Sequence, residues 1–154
     1  MGNYTMAEEA LPVVYPELEH LFRAHYDEMR ARLTKQGVEV SDYNPRLDEY
    51  FRASNTGWLK TYVLRHDGKA IGYGNIYITN DMHNRDLIAR EDVMFVEKEH
   101  RNGIGRKFFL FGMDEIRKLG VKRISATAMT DIRIIPLWKR IGFKEVAMQM
   151  IYTF

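Results

Sequence analysis

Apolar residues recur at spacings of three and four from Tyr15 to Leu33, at Leu18, Leu21, Phe22, Tyr26, Met29 and Leu33. That spacing predicts an amphipathic helix with Pro16 in its first turn. The residues before it carry no single pattern: Tyr4 to Met6 suits the start of a sheet, and Pro12 argues against a clean helix. A loop runs from Gly37 to Pro45, and Pro45 is suited to open a second helix through about Ala53.

After Asn55-Thr56-Gly57 the composition turns to strand formers. Leu59 to Arg65 and Ala70 to Thr79 are rich in β-branched and aromatic residues and flank Asp67-Gly68, which predicts an antiparallel hairpin. Leu87 to Val96 predicts a third strand. Ile104 to Leu119 predicts a helix that buries Ile104, Phe108, Phe111, Met113, Ile116 and Leu119 and stops at Gly120. Arg123 to Ala128 reads as a strand, Asp131 to Ile141 as a short helix with Pro136 near its start, and Phe143 to Phe154 as a final strand. A hairpin followed by alternating helix and strand implies an α/β chain of mixed α+β type, with a mixed sheet and helices on both faces.

Composition narrows the class. The chain has 154 residues, 45% of them hydrophobic, enough for one compact domain over residues 1–154 with its own core. A formal net charge of +2 gives no support to a nucleic-acid or membrane partner. Without cysteine there is no disulfide framework, thiol nucleophile or thiolate metal site, and the five histidines lack ligand spacing, so no metal is expected. The start lacks a basic segment followed by an apolar one, which reads as a cytoplasmic protein.

One stretch carries chemistry. The strand Asp92-Val93-Met94-Phe95-Val96 leads through Glu97 to Arg106, with Gly103 and Gly105 one residue apart, into the long helix. The two glycines allow a tight turn that exposes successive N–H groups where a helix begins, and such a start attracts anions. Arg101, Arg106 and Lys107 add full positive charges, so a phosphate or diphosphate is the expected guest. The spacing is not that of the nucleotide-triphosphatase loop, and Phe108 stands where a dinucleotide fingerprint needs its third glycine.

Val96, four residues, Arg101, two glycines and an amphipathic helix together resemble the coenzyme-binding segment of the GNAT superfamily of acyltransferases. Leu137-Trp138-Lys139-Arg140-Ile141-Gly142-Phe143 resembles that family's closing helix and the strand start after it. The likeness covers residues 58 to 154 well and the first third weakly. It implies a GNAT-like three-layer fold, a central, largely antiparallel mixed sheet flanked by about four helices. The spacing from Arg101 to the last glycine is one residue short of the family pattern. Either the turn is shorter, or His100 takes the position usually given to Gln or Arg.

The resemblance implies acetyl-coenzyme A as co-substrate. Its pantetheine arm would lie against the main chain of Met94, Phe95 and Val96, and its diphosphate over Arg101, Asn102, Gly103, Ile104, Gly105 and Arg106. The reaction implied is transfer of an acetyl group to a primary amine of a small molecule or protein, by direct attack with a carboxylate as general base. Alternation along an undisturbed strand puts Asp92 on the face of Met94 and Val96, the parity of the family's acidic position, and Glu91 on the other. Asp92 therefore ranks first as base and Glu91 second, with pairing to Arg90 the plain alternative.

The family's usual tyrosine acid corresponds to Trp138, which cannot donate usefully as an acid; Trp138 could instead pack on the coenzyme. Tyr152, Tyr73, Tyr77 or solvent remain for that role, and the usual Asn of the closing helix corresponds to Asp131. His83 and Tyr73 are candidates to line the acceptor pocket. The competing reading is a catalytically weak or inactive GNAT-fold binding protein. Met148, Met150, Ile151, Tyr152 and Phe154 could pair with another subunit to make a homodimer, or simply form a core strand.

Overall fold

A computed structural model describes residues 2–128 and 132–154, with main chain only at Ile132. It has five strands in one sheet, ordered β1-β2-β3-β4-β5. In chain order these are β1 (Tyr4–Glu8), β2 (Leu59–His66), β3 (Lys69–Asn80), β4 (Leu87–Val96) and β5 (Arg123–Ser125). The helices are α1 (Leu11–Lys35), α2 (Leu47–Asn55), α3 (Ile104–Lys118) and α4 (Ile135–Ile141). The first four strands pair antiparallel and β5 joins β4 in parallel. The expected mixed, largely antiparallel sheet with four α-helices is therefore present.

The chain divides into two compact units, residues 1–22 with 45–126, and residues 23–44 with 127–154. In the first unit, Asp67 and Gly68 both take positive φ, at 49° and 83°, and join His66 to Lys69 in a two-residue hairpin. Both central residues of that turn must sit in the left-handed region, which is why Asp-Gly signals it so well. One sheet face packs Tyr62, Leu64, Ile76, Ala89 and Val96 against Phe108 and Ile116 of α3. The other meets α1 and α2, where Phe22 stacks on Tyr73 with centroids 4.5 Å apart and meets Tyr50 edge-on.

In the second unit, Arg32 donates to the Ala128 carbonyl at 2.5 Å and Tyr26 to that of Ser41. Arg30 pairs with Asp42 at 2.7 Å, and Trp138 packs on Phe143 at 5.8 Å. Burial pulls His25 down to about 4, so its ring stays neutral near pH 7.

Four expectations are corrected. Helix α1 begins at Leu11 rather than Tyr15, because Pro12 falls in the first turn, where a missing N–H is no loss, and Ala10 O accepts from both Val13 and Val14. Leu119 does not pack in the core; it follows the last helical residue and is 45% exposed. Strand β5 is only three residues long. Residues 143–154 form no strand, since no sheet edge of the described chain pairs with them. Among the described residues no helix is long and apolar enough to cross a membrane.

Candidate active site

The site is set by an irregularity in β4. Its ladder with β3 pairs Asn75 with Val93 and Ile76 with Glu91, so Asp92 is an extra residue with no opposite number, a β-bulge. The bulge overturns the expected parity. Met94 and Val96 pack toward α3, and Glu91 joins them beside Phe108 and Gly112. Asp92 instead faces α2, where the Tyr50 hydroxyl donates to its Oδ2 at 2.8 Å.

Burial is the main influence on Asp92 and raises its carboxyl above the usual range, against a smaller lowering by the Tyr50 hydrogen bond. Tyr50 also shares a side-chain hydrogen bond with Tyr77. Burial first, and the nearby Asp92 charge second, raise the Tyr77 phenol, so it stays protonated. Carboxylate and two phenols thus form a row that can accept a proton and pass it along. Asn75 is fully buried beside the bulge; its Oδ1 accepts from Thr61 at 2.8 Å, and its Nδ2 has no partner among the described residues.

The ladder from β4 to β5 runs from Ile88 to Arg90 and stops. Among the described residues no strand is paired with β4 on that side beyond Arg90, which offers an edge on which an amide-containing chain can add as a strand does. This edge leads into the turn. A 3₁₀ turn at Lys98–His100 is followed by Gly103 at φ 105°, the left-handed cap of α3. A side chain is strained there, and a Cβ at either Gly103 or Gly105 would enter open space in front of the helix start. The pair therefore keeps a cradle clear for a ligand that approaches the amides closely, and a diphosphate fits it in charge.

The turn is braced from the sheet. Arg101 donates its Nε to the Val96 carbonyl at 2.7 Å and lies over the Phe95 ring at 5.1 Å, so this cation folds back along β4. The Tyr4 hydroxyl meets His100 Nδ1 at 3.0 Å, and the His66 ring lies 4.9 Å from that of His100. Neither Arg101 nor His100 simply projects into solvent. Asn102 donates its N–H to the His100 carbonyl at 2.8 Å, Ile104 turns its side chain to the core, and Arg106 is exposed.

The remaining candidates are scattered. Tyr73 is 1% exposed beneath Phe22, in the core rather than on an open pocket wall. His83 is exposed in the β3–β4 turn, its N–H bonded to Asp81 Oδ1 at 2.7 Å. Asp92 lies five residues into the strand that follows, about 17 Å along it, so the two are not brought together. Trp138 is buried in the second unit, Tyr152 is exposed there, and Asp131 lies outside the described residues. Sequence reasoning missed Tyr50. Its signal is the apolar stripe Leu47-Tyr50-Phe51 on α2, overlooked because that helix is mostly charged.

Residues 17–143 match the family model described as the acetyltransferase (GNAT) family. An Escherichia coli K12 protein called uncharacterized N-acetyltransferase YjgM is 25% identical over 113 residues, covering 72% of this chain and 65% of its own length. The chain thus spans just under two thirds of that relative. In fold it resembles an aminoglycoside acetyltransferase from an uncultured soil metagenomic sample, at TM-score 0.73 and 16% identity over 98% of this chain and 96% of the other. It also resembles a GCN5-related N-acetyltransferase from Ralstonia eutropha JMP134, at TM-score 0.74 and 15% identity over 98% and 99%. With the family model spanning most of its length, this chain belongs to the GNAT family of acetyltransferases.

Proposed function

We propose that this protein transfers an acetyl group from acetyl-coenzyme A to a primary amine of a small molecule or protein. The observation that carries this reading is the arrangement along β4. Beyond its described ladder with β5, which ends at Arg90, β4 leads into the anion-attracting start of α3, and a half-buried carboxylate stands at the bulge.

In this reading the amides from Gly103 to Arg106 hold the diphosphate and the β4 edge aligns the pantetheine arm. An amine bound on the α2 side loses its proton to Asp92 as its nitrogen forms a bond to the thioester carbonyl carbon. The carbon–sulfur bond then breaks, leaving amide and thiolate. A carboxyl raised by burial suits this task better than an ordinary one, because its affinity for a proton is closer to that of the group it must deprotonate. Tyr50 and Tyr77 offer that proton a path away, and the thiolate takes its own proton from solvent.

Calorimetry with acetyl-coenzyme A tests the binding half. Saturable heat is expected for the native chain, and Gly105→Asp, which puts a negative side chain into the open cradle, should abolish it. Release of free thiol with an amine panel tests the chemistry. No heat from the native chain would overturn the reading.

A further inference from the structure

Strand β4 sets a second charged side chain on the face that carries Asp92. Tyr77 lies on that face, since it shares a hydrogen bond with Tyr50 of α2, and Arg90 is its direct partner across the β3–β4 ladder. Residues directly opposite in such a ladder point to the same side of the sheet, with Cβ atoms roughly 5 Å apart. Ser125 stands opposite Arg90 on β5, so its hydroxyl shares the face. Arg90 and Ser125 are both exposed. A guanidinium, a hydroxyl, the Tyr77 phenol and the Asp92 carboxylate therefore occupy one side of three neighbouring strands.

The Arg90 charge is uncompensated. Arg46, Arg52, Arg65, Arg117 and Arg123 each pair with a carboxylate, whereas Arg90 has no ion pair among the described residues. Neither adjoining acid takes it up: Glu91 is turned to the α3 side, and Asp92 responds to burial and to Tyr50. On the same face of β5, Arg123 is already held by Asp81 and Asp86. The planar fork of an arginine matches a carboxylate bidentately, so an unfilled fork beside the proposed base suits an anionic group on the substrate.

Building on the acetyl transfer proposed above, we infer that the acceptor is an amino acid whose carboxylate is held by the Arg90 guanidinium and the Ser125 hydroxyl while its amino group meets Asp92. The two β4 positions lie about 7 Å apart along the strand, a gap that the long arginine side chain and a compact amino acid span together. A cation at this point also works against acceptors of the opposite design. A polyamine would bring a second ammonium against the guanidinium, whereas a carboxylate neutralises it. The same positive charge favours the uncharged form of the incoming amine, which is the form that attacks.

The test compares free amino acids with the amines that lack only their carboxylate, such as phenylalanine with phenethylamine, in acetyl-coenzyme A turnover. The native chain should favour the acid by at least about tenfold in kcat/KM, mostly through KM, since Arg90 touches a group that does not react. Arg90→Gln should bring that ratio to within about threefold of one, and Arg90→Lys, which keeps the charge without the fork, should restore part of it. Arg85→Gln, which removes an exposed cation in the β3–β4 turn, should leave the ratio within about threefold of native. Decarboxylated amines accepted as well as the acids, or a preference that survives Arg90→Gln, would overturn the inference and leave the transferase reading standing. Turnover with no amine of either kind would overturn both.

Discussion

On the α3 side of β4, Glu91, Met94 and Val96 meet Phe108, Phe109 and Gly112 around a cavity of about 20 Å³, room for one water. On the α2 side Asp92 meets Tyr50, with Tyr77 next along and the buried Asn75 amide beside the bulge. One strand therefore presents an apolar packing surface to one helix and a polar hydrogen-bonded row to another. Two adjacent carboxylates of nearly equal chemistry fall into different environments, and a single extra residue decides which one is aimed at the phenols. Position relative to the bulge, rather than acidity, separates Glu91 from Asp92.

That contrast can be broken most forcefully from the packing side. Phe108→Ala should cost about 3–5 kcal/mol of stability, read by urea unfolding, because it empties a buried aromatic site. Its turnover per folded molecule should stay within about threefold of the native chain. Next, Asp92→Asn should lower kcat by about 10²–10⁴-fold while calorimetric binding of acetyl-coenzyme A is retained. Tyr50→Phe should cost about tenfold in kcat, the loss of one hydrogen bond to a charged group.

Tyr50→Phe also has a direction in pH. In the proposed mechanism Asp92 acts ionised, so the acid limb of kcat/KM should fall as pH drops through its raised pKa. Removing Tyr50 takes away a lowering influence, so that limb should move to higher pH. Smallest of all, Glu91→Gln should change kcat by less than about threefold; a loss as large as that of Asp92→Asn would reverse the assignment of the two faces.

Much of the architecture was legible because its signals are local. Asp67-Gly68 fixed a hairpin by backbone geometry, and the limits of β4 and the start of α3 followed from alternation and from Gly103. The bulge was not legible: alternation assumes an unbroken ladder, and nothing in Glu91-Asp92-Val93 announces that one residue will be left unpaired. Tyr50 was hidden by the charges around it on α2. Residues 143–154 carry as clear a two-residue period as β3, yet a period states only that one face wants cover. The hairpin carries its own partner across a turn; the terminal segment has no ladder among the described residues.

The bulge has one more implication. With Asp92 removed, β3 and β4 could pair without interruption and lose no ladder bond, so sheet stability by itself gives that residue no reason to exist. A strand one residue shorter would be the simpler construction, and under the proposed mechanism it would lack the base for an incoming amine.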